Sequence, residues 1–294
     1  MAFTTIIHLQ FGEKNLSPIL NFFYTYRDQY SDCAEFKIII VENNPNGILL
    51  KNNHFSHDSE LHIIHGDNTF REFSGWSSGL RYLRDVLKIT QSNVIFSNDT
   101  MLKHRAFDES LKKAFYVGFG DIFSMKIAAM IGDVDLLQSE PPAFTFEATK
   151  YLSTYLFALN SRAVEKIDTL VNPLNINDYF DRQENEVSVF YSDLRLNSNY
   201  VESIEFWLYK KSKRKKWYGH AELSLLNFNS MRSKAMSIVI EHHLSDALIK
   251  KDIVMVDVKN YLHRNFIQRL MYFVARKNYS IKWRLIKYLK AIIS

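Results

Sequence analysis

The sequence predicts an α/β fold, with a doubly wound sheet of largely parallel strands flanked by helices. Three observations lead there. The apolar runs FTTIIHLQF, FKIIIVENN and VIFSNDT each stop abruptly at a polar cluster. Segments of helical periodicity fill the intervals, in the order β-α-β-loop-β-α-β over the first hundred residues. Gly (9) and Pro (5) are scarce in 294 residues that are 47% hydrophobic, which argues against a loop-rich all-β fold and against disorder.

The elements follow in order. Residues 3–11 read as a first strand. In NLSPILNFFYTYRDQY, Ile19, Leu20, Phe22, Phe23 and Tyr26 recur at helical spacing behind Asn15 or Ser17 as N-cap. Residues 36–44 form a continuous β-branched run, as a strand buried on both faces requires, and NNPNG turns the chain after it. LHIIHGDN (61–68) is a third strand. REFSGWSSGLRYLRDVLKI (71–89) carries Phe73, Trp76, Leu80, Leu83 and Val86-Leu87 on one stripe of a helix, and VIFSNDT (94–100) is the fourth strand.

Later elements are less sharply marked. Residues 114–132 read as a strand, a turn and an apolar segment. Residues 149–171 read as a strand or short helix feeding a helix from Ser161. ENEVSVFYSDLRLN (184–197) reads as a helix, residues 221–258 as mixed elements, and 262–293 as one or two basic amphipathic helices.

Charge is unevenly placed. From Lys259 to Ser294 there are nine Lys/Arg and no Asp/Glu, whereas the rest holds 28 basic and 32 acidic groups, net −4. A second basic cluster, YKKSKRKKWYGH, occupies 209–220. Such asymmetry suits a polyanionic surface, membrane or nucleic acid. The single cysteine, Cys33, allows no internal disulfide and fits a reducing compartment. The N-terminus lacks a basic n-region and reads as a strand rather than a signal peptide. No stretch of 18 uncharged apolar residues marks a spanning helix. HExxH, CxxC, GxSxG and P-loop patterns are all missing, which disfavours zinc proteases, zinc ribbons, serine hydrolases and P-loop enzymes.

In a doubly wound sheet, ligands bind beyond the carboxyl ends of the strands. The polar ends Glu42-Asn43-Asn44, Gly66-Asp67-Asn68 and Asn98-Asp99-Thr100 would then line one crevice. The series IIIVENN, HGDNTFREFSGWSSGL and VIFSNDT resembles the glycosyltransferases of bacterial O-antigen and capsule gene clusters, relatives of the family 2 enzymes. The resemblance covers residues 3–105 well and continues weakly through 155–167 and 184–194. It implies a GT-A-like doubly wound mixed sheet flanked by helices as a catalytic domain over 1–258, split near residue 105 into nucleotide and acceptor halves. A basic helical extension over 259–294 would follow. It further implies a nucleotide-sugar donor, a divalent metal (Mn²⁺ or Mg²⁺), and a glycan or lipid-linked acceptor. The usual Asp-x-Asp metal motif aligns here with Ser97-Asn98-Asp99, so one carboxylate stands where that pattern has two.

Each candidate residue has a structural alternative. Asp99 would hold the metal that neutralises a diphosphate leaving group, with Asn98 on ribose or phosphate and Thr100 supporting the carboxylate. Equally, Asn, Asp and Thr are good helix N-caps. Glu42 and Asn43 would meet the base and ribose, or simply end a strand. Asp67 and Asn68 would contact base or ribose, and Arg71 would pair with diphosphate. Glu72 reads as a favourable charge at a helix start, Trp76 as a core anchor, and Gly75 as a close-packing position. An inverting transfer also needs a base, for which Glu186 fits the family pattern, with Glu184 and Asp178 as rivals. His220, His242 and His243 are candidate extra ligands, although adjacent histidines point apart and make no ready pair.

The basic tail, rich in apolar and aromatic residues, suits an anionic membrane surface, which would place the enzyme at the inner face of the cytoplasmic membrane. Its structural alternative is a helix packed on the domain with solvated lysines. Two further functional classes remain open. A nucleic-acid-binding α/β protein would use the tail and YKKSKRKKWY, but RRM, KH and helix-turn-helix signatures are missing and the body is acidic. A catalytically silent GT-A-like partner would explain the missing first Asp.

Overall fold

The computed structural model describes residues 3–31, 35–47, 49, 60–103, 107–137, 148–170, 180, 188–190, 196–209 and 222–262. Strand β1 (Phe3–Gln10) leads to helix α1 (Leu16–Tyr30), β2 (Glu35–Glu42), β3 (Leu61–His65), α2 (Glu72–Asp85) and β4 (Ser92–Asn98). Then come α3 (Glu109–Ser124), β5 (Ala129–Leu136), β6 (Lys150–Leu159), α4 (Ser161–Glu165), α5 (Ser198–Leu208), α6 (Phe228–Lys250), β7 (Val254–Asp257) and α7 (Lys259–Leu262).

The seven strands form one sheet in the order β3-β2-β1-β4-β6-β5-β7. All its pairings are parallel except those of β6, which runs antiparallel to both β4 and β5. This is the mixed, doubly wound sheet expected. From β1 the chain builds outward through β2 and β3, then returns to lay β4 on the other side of β1. The gap between β1 and β4 is therefore the topological switch point.

Helices cover both faces, which explains the unbroken apolar strands. Ile6 pairs in register with Ile38 and Ile95, and this row faces α1 and α3 through Ile19, Phe23, Phe115 and Phe119. Ile7, Ile39 and Phe96 face α2 through Phe73, Trp76 and Leu80. Helix α2 lies close on the sheet because it offers glycines there. A Cβ on Gly79 would overlap Ile7, and one on Gly75 would overlap Leu9. Trp76 is fully buried as a packing anchor, with its ring among Phe73, Phe96 and Phe157 and its Nε1–H donating to Ser97 O at 2.9 Å.

Two local expectations are corrected. Residues 109–124 are helical rather than a strand, because Leu111, Phe115, Phe119 and Ile122 bury one helical stripe against the sheet. The expected helix over 184–197 does not form where that stretch is described. Phe190 instead bridges Phe180 in antiparallel fashion, and the helix begins at Ser198. The stretch expected to hold mixed elements does so, with the 23-residue helix α6 followed by strand β7. The helix from Ser161 forms as expected, capped by Asn160, whose side chain accepts from Ala163 N–H.

Among the described residues no helix is long and apolar enough to cross a membrane. The basic tail beyond residue 262 and the 210–221 cluster lie outside the described residues.

Candidate functional site

At the carboxyl end of the switch point a cavity of about 1380 Å³ opens. Asn98, Asp99 and Thr100 form its floor at the end of β4, and Asn43, Asn68, Arg71 and Glu72 its wall on the side of β2 and α2. The opposite wall brings Asp135 of β5, Tyr151 and Thr154 of β6, and Glu241 and His242 of α6.

Five of the seven expected donor-binding residues, Asn43, Asn68, Arg71, Asn98 and Thr100, therefore converge with Asp99. Residues far apart in sequence meet because parallel strands deliver their carboxyl ends to one edge. The other two lie off the cavity wall. Glu42 is fully buried and accepts the Leu49 N–H at 2.9 Å, holding the chain after β2. Asp67 accepts the Thr69 N–H at 2.8 Å, and this hydrogen bond holds its carboxyl below the ordinary range. Glu186, Glu184, Asp178 and His220 lie outside the described residues.

The floor is a local turn. Asn98 Oδ1 accepts both the backbone N–H of Thr100 (3.1 Å) and its hydroxyl (2.6 Å). Thr100 thus braces Asn98 rather than the Asp99 carboxylate, and Asp99 is left projecting. Burial pushes the Asp99 carboxyl up, and the charge of Lys103 opposes that rise. Glu72 is pushed up as well, first by burial, with the Asp99 charge adding to it. Glu72 is more than a dipole partner at a helix start, since it faces the same space as Asp99.

The wall beside β2 is strained and polar. Asn68 and Arg71 both have positive φ, of 52° and 50°. Asn tolerates that region, but Arg71 does not without cost, and such outliers concentrate at binding sites. Arg71 is held by its Nε–H donating to Ser233 Oγ on α6 at 2.7 Å. Asn43 donates through Nδ2 to Asn68 Oδ1 (3.2 Å) and Arg71 O (3.0 Å). Its Oδ1 is buried with no hydrogen-bond partner among the described residues. An orphaned buried acceptor is costly and is normally satisfied by a bound group. Gly66 makes room for it, because a Cβ there would overlap that oxygen.

The residues present fit a divalent cation of one kind only. Oxygen-preferring ions such as Mg²⁺ and Mn²⁺ accept one or two carboxylates when phosphate oxygens and water complete the shell. Asp99, with the Glu72 charge beside it, offers that. An all-protein cage does not form, since among the described residues no three His, Cys, Asp or Glu side chains come together to hold a metal. His242 is committed elsewhere. Its Nδ1 and the Tyr200 hydroxyl lie 2.8 Å apart, its ring packs on Tyr151, and burial pushes it down to about 3, so it is neutral at pH 7.

No family model matches this chain, and no curated protein matches it. Among solved structures it is similar to 4-diphosphocytidyl-2C-methyl-D-erythritol synthase from Anaerococcus prevotii, at 12% identity and a TM-score of 0.31, covering 79% of this chain and 96% of that one.

Sequence reasoning passed over Glu241. The available signal was a carboxylate inside the apolar run SIVIEHHL, a placement that folding tolerates only with partners. Beneath the floor lies a second polar network. Gln10 Nε2 donates to Gly12 O (2.6 Å) and Lys14 O (3.0 Å), so Gln10 Oε1 faces His8 Nε2 as acceptor at 2.7 Å. His8 therefore carries its proton on Nε2, and Nδ1 accepts from the Ser97 hydroxyl at 2.8 Å. Burial pushes His8 down to about 4. The unfolded chain binds this proton near pH 6.5 and the folded one near 4, so His8 favours folding above pH 6.5 and loses that effect as pH falls toward 4. In urea titrations, the stability advantage of the wild type over His8→Asn is expected to shrink by about 3 kcal/mol between pH 7 and 4. A pH-independent difference would contradict the neutral, buried His8.

Proposed function

We propose that this chain is a transferase that takes a nucleotide-sugar donor, and more finely a glycosyltransferase of bacterial surface polysaccharide (O-antigen or capsule) assembly. The observation that carries this proposal is the convergence of Asn43, Asn68, Arg71 and Asn98-Asp99-Thr100 at the switch point of a doubly wound sheet. A glycan or lipid-linked acceptor would approach from the wall formed by β6, α5 and α6. An anionic membrane at the cytoplasmic face would meet the basic tail, whose nine cations carry no balancing acid.

Each wall has a task in such a transfer. Asn43, which lines the cavity, would order the side that receives the base and ribose by holding Asn68 and the Arg71 carbonyl. The Arg71 guanidinium, steadied by Ser233, is placed to pair with the diphosphate. Asp99 would hold a Mn²⁺ or Mg²⁺ ion. When bound, that ion would neutralise charge developing on the leaving diphosphate.

The test is a thermal-shift panel of UDP, GDP, CDP and dTDP, each with and without Mn²⁺. A ligand at a hundredfold its Kd stabilises the folded state by about 2.7 kcal/mol. One nucleotide is therefore expected to raise Tm by about 5 °C or more with Mn²⁺ present. No shift with any nucleotide at millimolar concentration would refute the proposal.

A further inference from the structure

Helix α6 places one carboxylate on the acceptor side of the cavity, and β6 is deformed to hold it. The register between β5 and β6 shifts at Gly132/Asp133, where Gly132 pairs with Phe157 but Asp133 pairs with Ser153. Thr154, Tyr155 and Leu156 are thereby left over on β6, a bulge of the kind that re-aims backbone groups next to active sites. The Thr154 N–H turns away from β5 and donates to Glu241 Oε1 at 2.7 Å, and the Thr154 hydroxyl donates to the same oxygen at 2.7 Å. Two donors on one oxygen fix the carboxyl plane. Oε2 has no hydrogen-bond partner among the described residues, and Glu241 lines the cavity.

The charged groups around it come from every neighbouring element. Glu72 faces it from α2 and Asp135 from β5. Lys259 of α7 reaches Asp133 Oδ1 at 2.5 Å and Asp135 Oδ1 at 3.5 Å. Lys234 and the neutral His242 of α6, with Tyr151 of β6, line the same cavity. Glu72 raises Glu241 and is itself raised by Asp99, so one carboxylate stands within electrostatic reach of both the β4 floor and α6.

Building on the glycosyltransferase proposal, we infer that Glu241 is the general base of the transfer. The proton of the acceptor hydroxyl passes to Glu241 Oε2 while the acceptor's own oxygen bonds to the anomeric carbon. The bond from the anomeric carbon to the diphosphate oxygen breaks, and its electron pair leaves on the diphosphate. The proton on Glu241 then passes to solvent. Burial pushes this carboxyl up to about 7; the Thr154 hydrogen bonds oppose the rise and the Glu72 and Asp135 charges add to it. A base of that strength accepts a proton readily yet is still substantially ionised at neutral pH.

Glu241→Gln tests this, because its amide oxygen can still accept both Thr154 hydrogen bonds. Nucleoside diphosphate release is measured from UDP-, GDP- and dTDP-hexoses with p-nitrophenyl hexosides and water as acceptors, alongside the nucleotide thermal shift. The variant is expected to keep the wild-type nucleotide shift while release falls about 100-fold or more. The wild-type rate is expected to fall as pH drops below about 7, and the residual rate of the variant to lack that limb. Glu241→Asp should regain part of the rate together with the limb, which a merely structural role would not produce. If Glu241→Gln releases product within roughly threefold of wild type with the same pH profile, the base assignment is overturned and the glycosyltransferase proposal stands. If the wild type neither binds nucleotide nor releases product, both are overturned.

Discussion

Asp99→Ala is expected to reduce the nucleotide-induced thermal shift in Mn²⁺ to the value seen in EDTA, while the protein without ligand is at least as stable as wild type. The first half follows from position. Asp99 projects from the end of β4 into the cavity, and the neighbouring Asn98 and Thr100 are bonded to each other. Its carboxylate is the oxygen donor that the β4 end would offer to a divalent cation bound together with the diphosphate. The second half follows from cost. A carboxylate partly removed from water beside Glu72 is held at a disadvantage, which its removal relieves. At a hundredfold excess over Kd the lost stabilisation approaches about 2.7 kcal/mol, read as several degrees of Tm. A metal-dependent shift that survives in Asp99→Ala would remove the metal from this residue. Lower stability of the unliganded variant would instead mark Asp99 as structural.

The largest loss of stability is expected from Trp76→Ala. The indole is fully buried among Phe73, Phe96 and Phe157, with ring centroids 5.5, 6.0 and 5.4 Å away, and the paired strands β4 and β6 beneath it resist collapse into the space. Truncating a buried aromatic leaves a cavity and costs about 3–5 kcal/mol. Here the Ser97 carbonyl also loses its donor, which adds about 1 kcal/mol. Urea midpoints provide the measurement. Trp76→Phe, which keeps most of the volume but not the N–H, separates the two contributions. A loss below about 1 kcal/mol for Trp76→Ala would contradict its role as the anchor between α2 and β4. Because Ser97 immediately precedes Asn98 and Asp99, the same substitution is expected to weaken the metal-dependent nucleotide shift of the protein that remains folded.

The first hundred residues were legible because their signals are local. Ile38 to Val41 can be accommodated only where both faces are covered, and the stripe of Phe73, Trp76, Leu80 and Leu83 repeats at the helical period. The second half was harder. Residues 109–124 hold enough β-branched and aromatic side chains to suggest a strand, and only packing on Ile131 and Tyr155 across the sheet decides for the helix. Glu42 and Asp67 show the limit for single residues. Both stand at strand ends in the same pattern as Asp99, yet nearby backbone N–H groups take up their oxygens.

The sequence by itself determined the parallel strands, their helices and the polar carboxyl ends that parallel pairing must bring to one edge. It also determined that a single carboxylate, Asp99, stands at the end of β4. Tertiary structure alone decided which polar groups remain free to bind. Thr100 turns to Asn98, Arg71 is strained and pinned by Ser233, and the bulge in β6 aims Thr154 at Glu241. Hydrogen-bond satisfaction depends on partners brought together from distant positions, here Thr154 and Glu241 or Arg71 and Ser233, and no spacing along the chain records it.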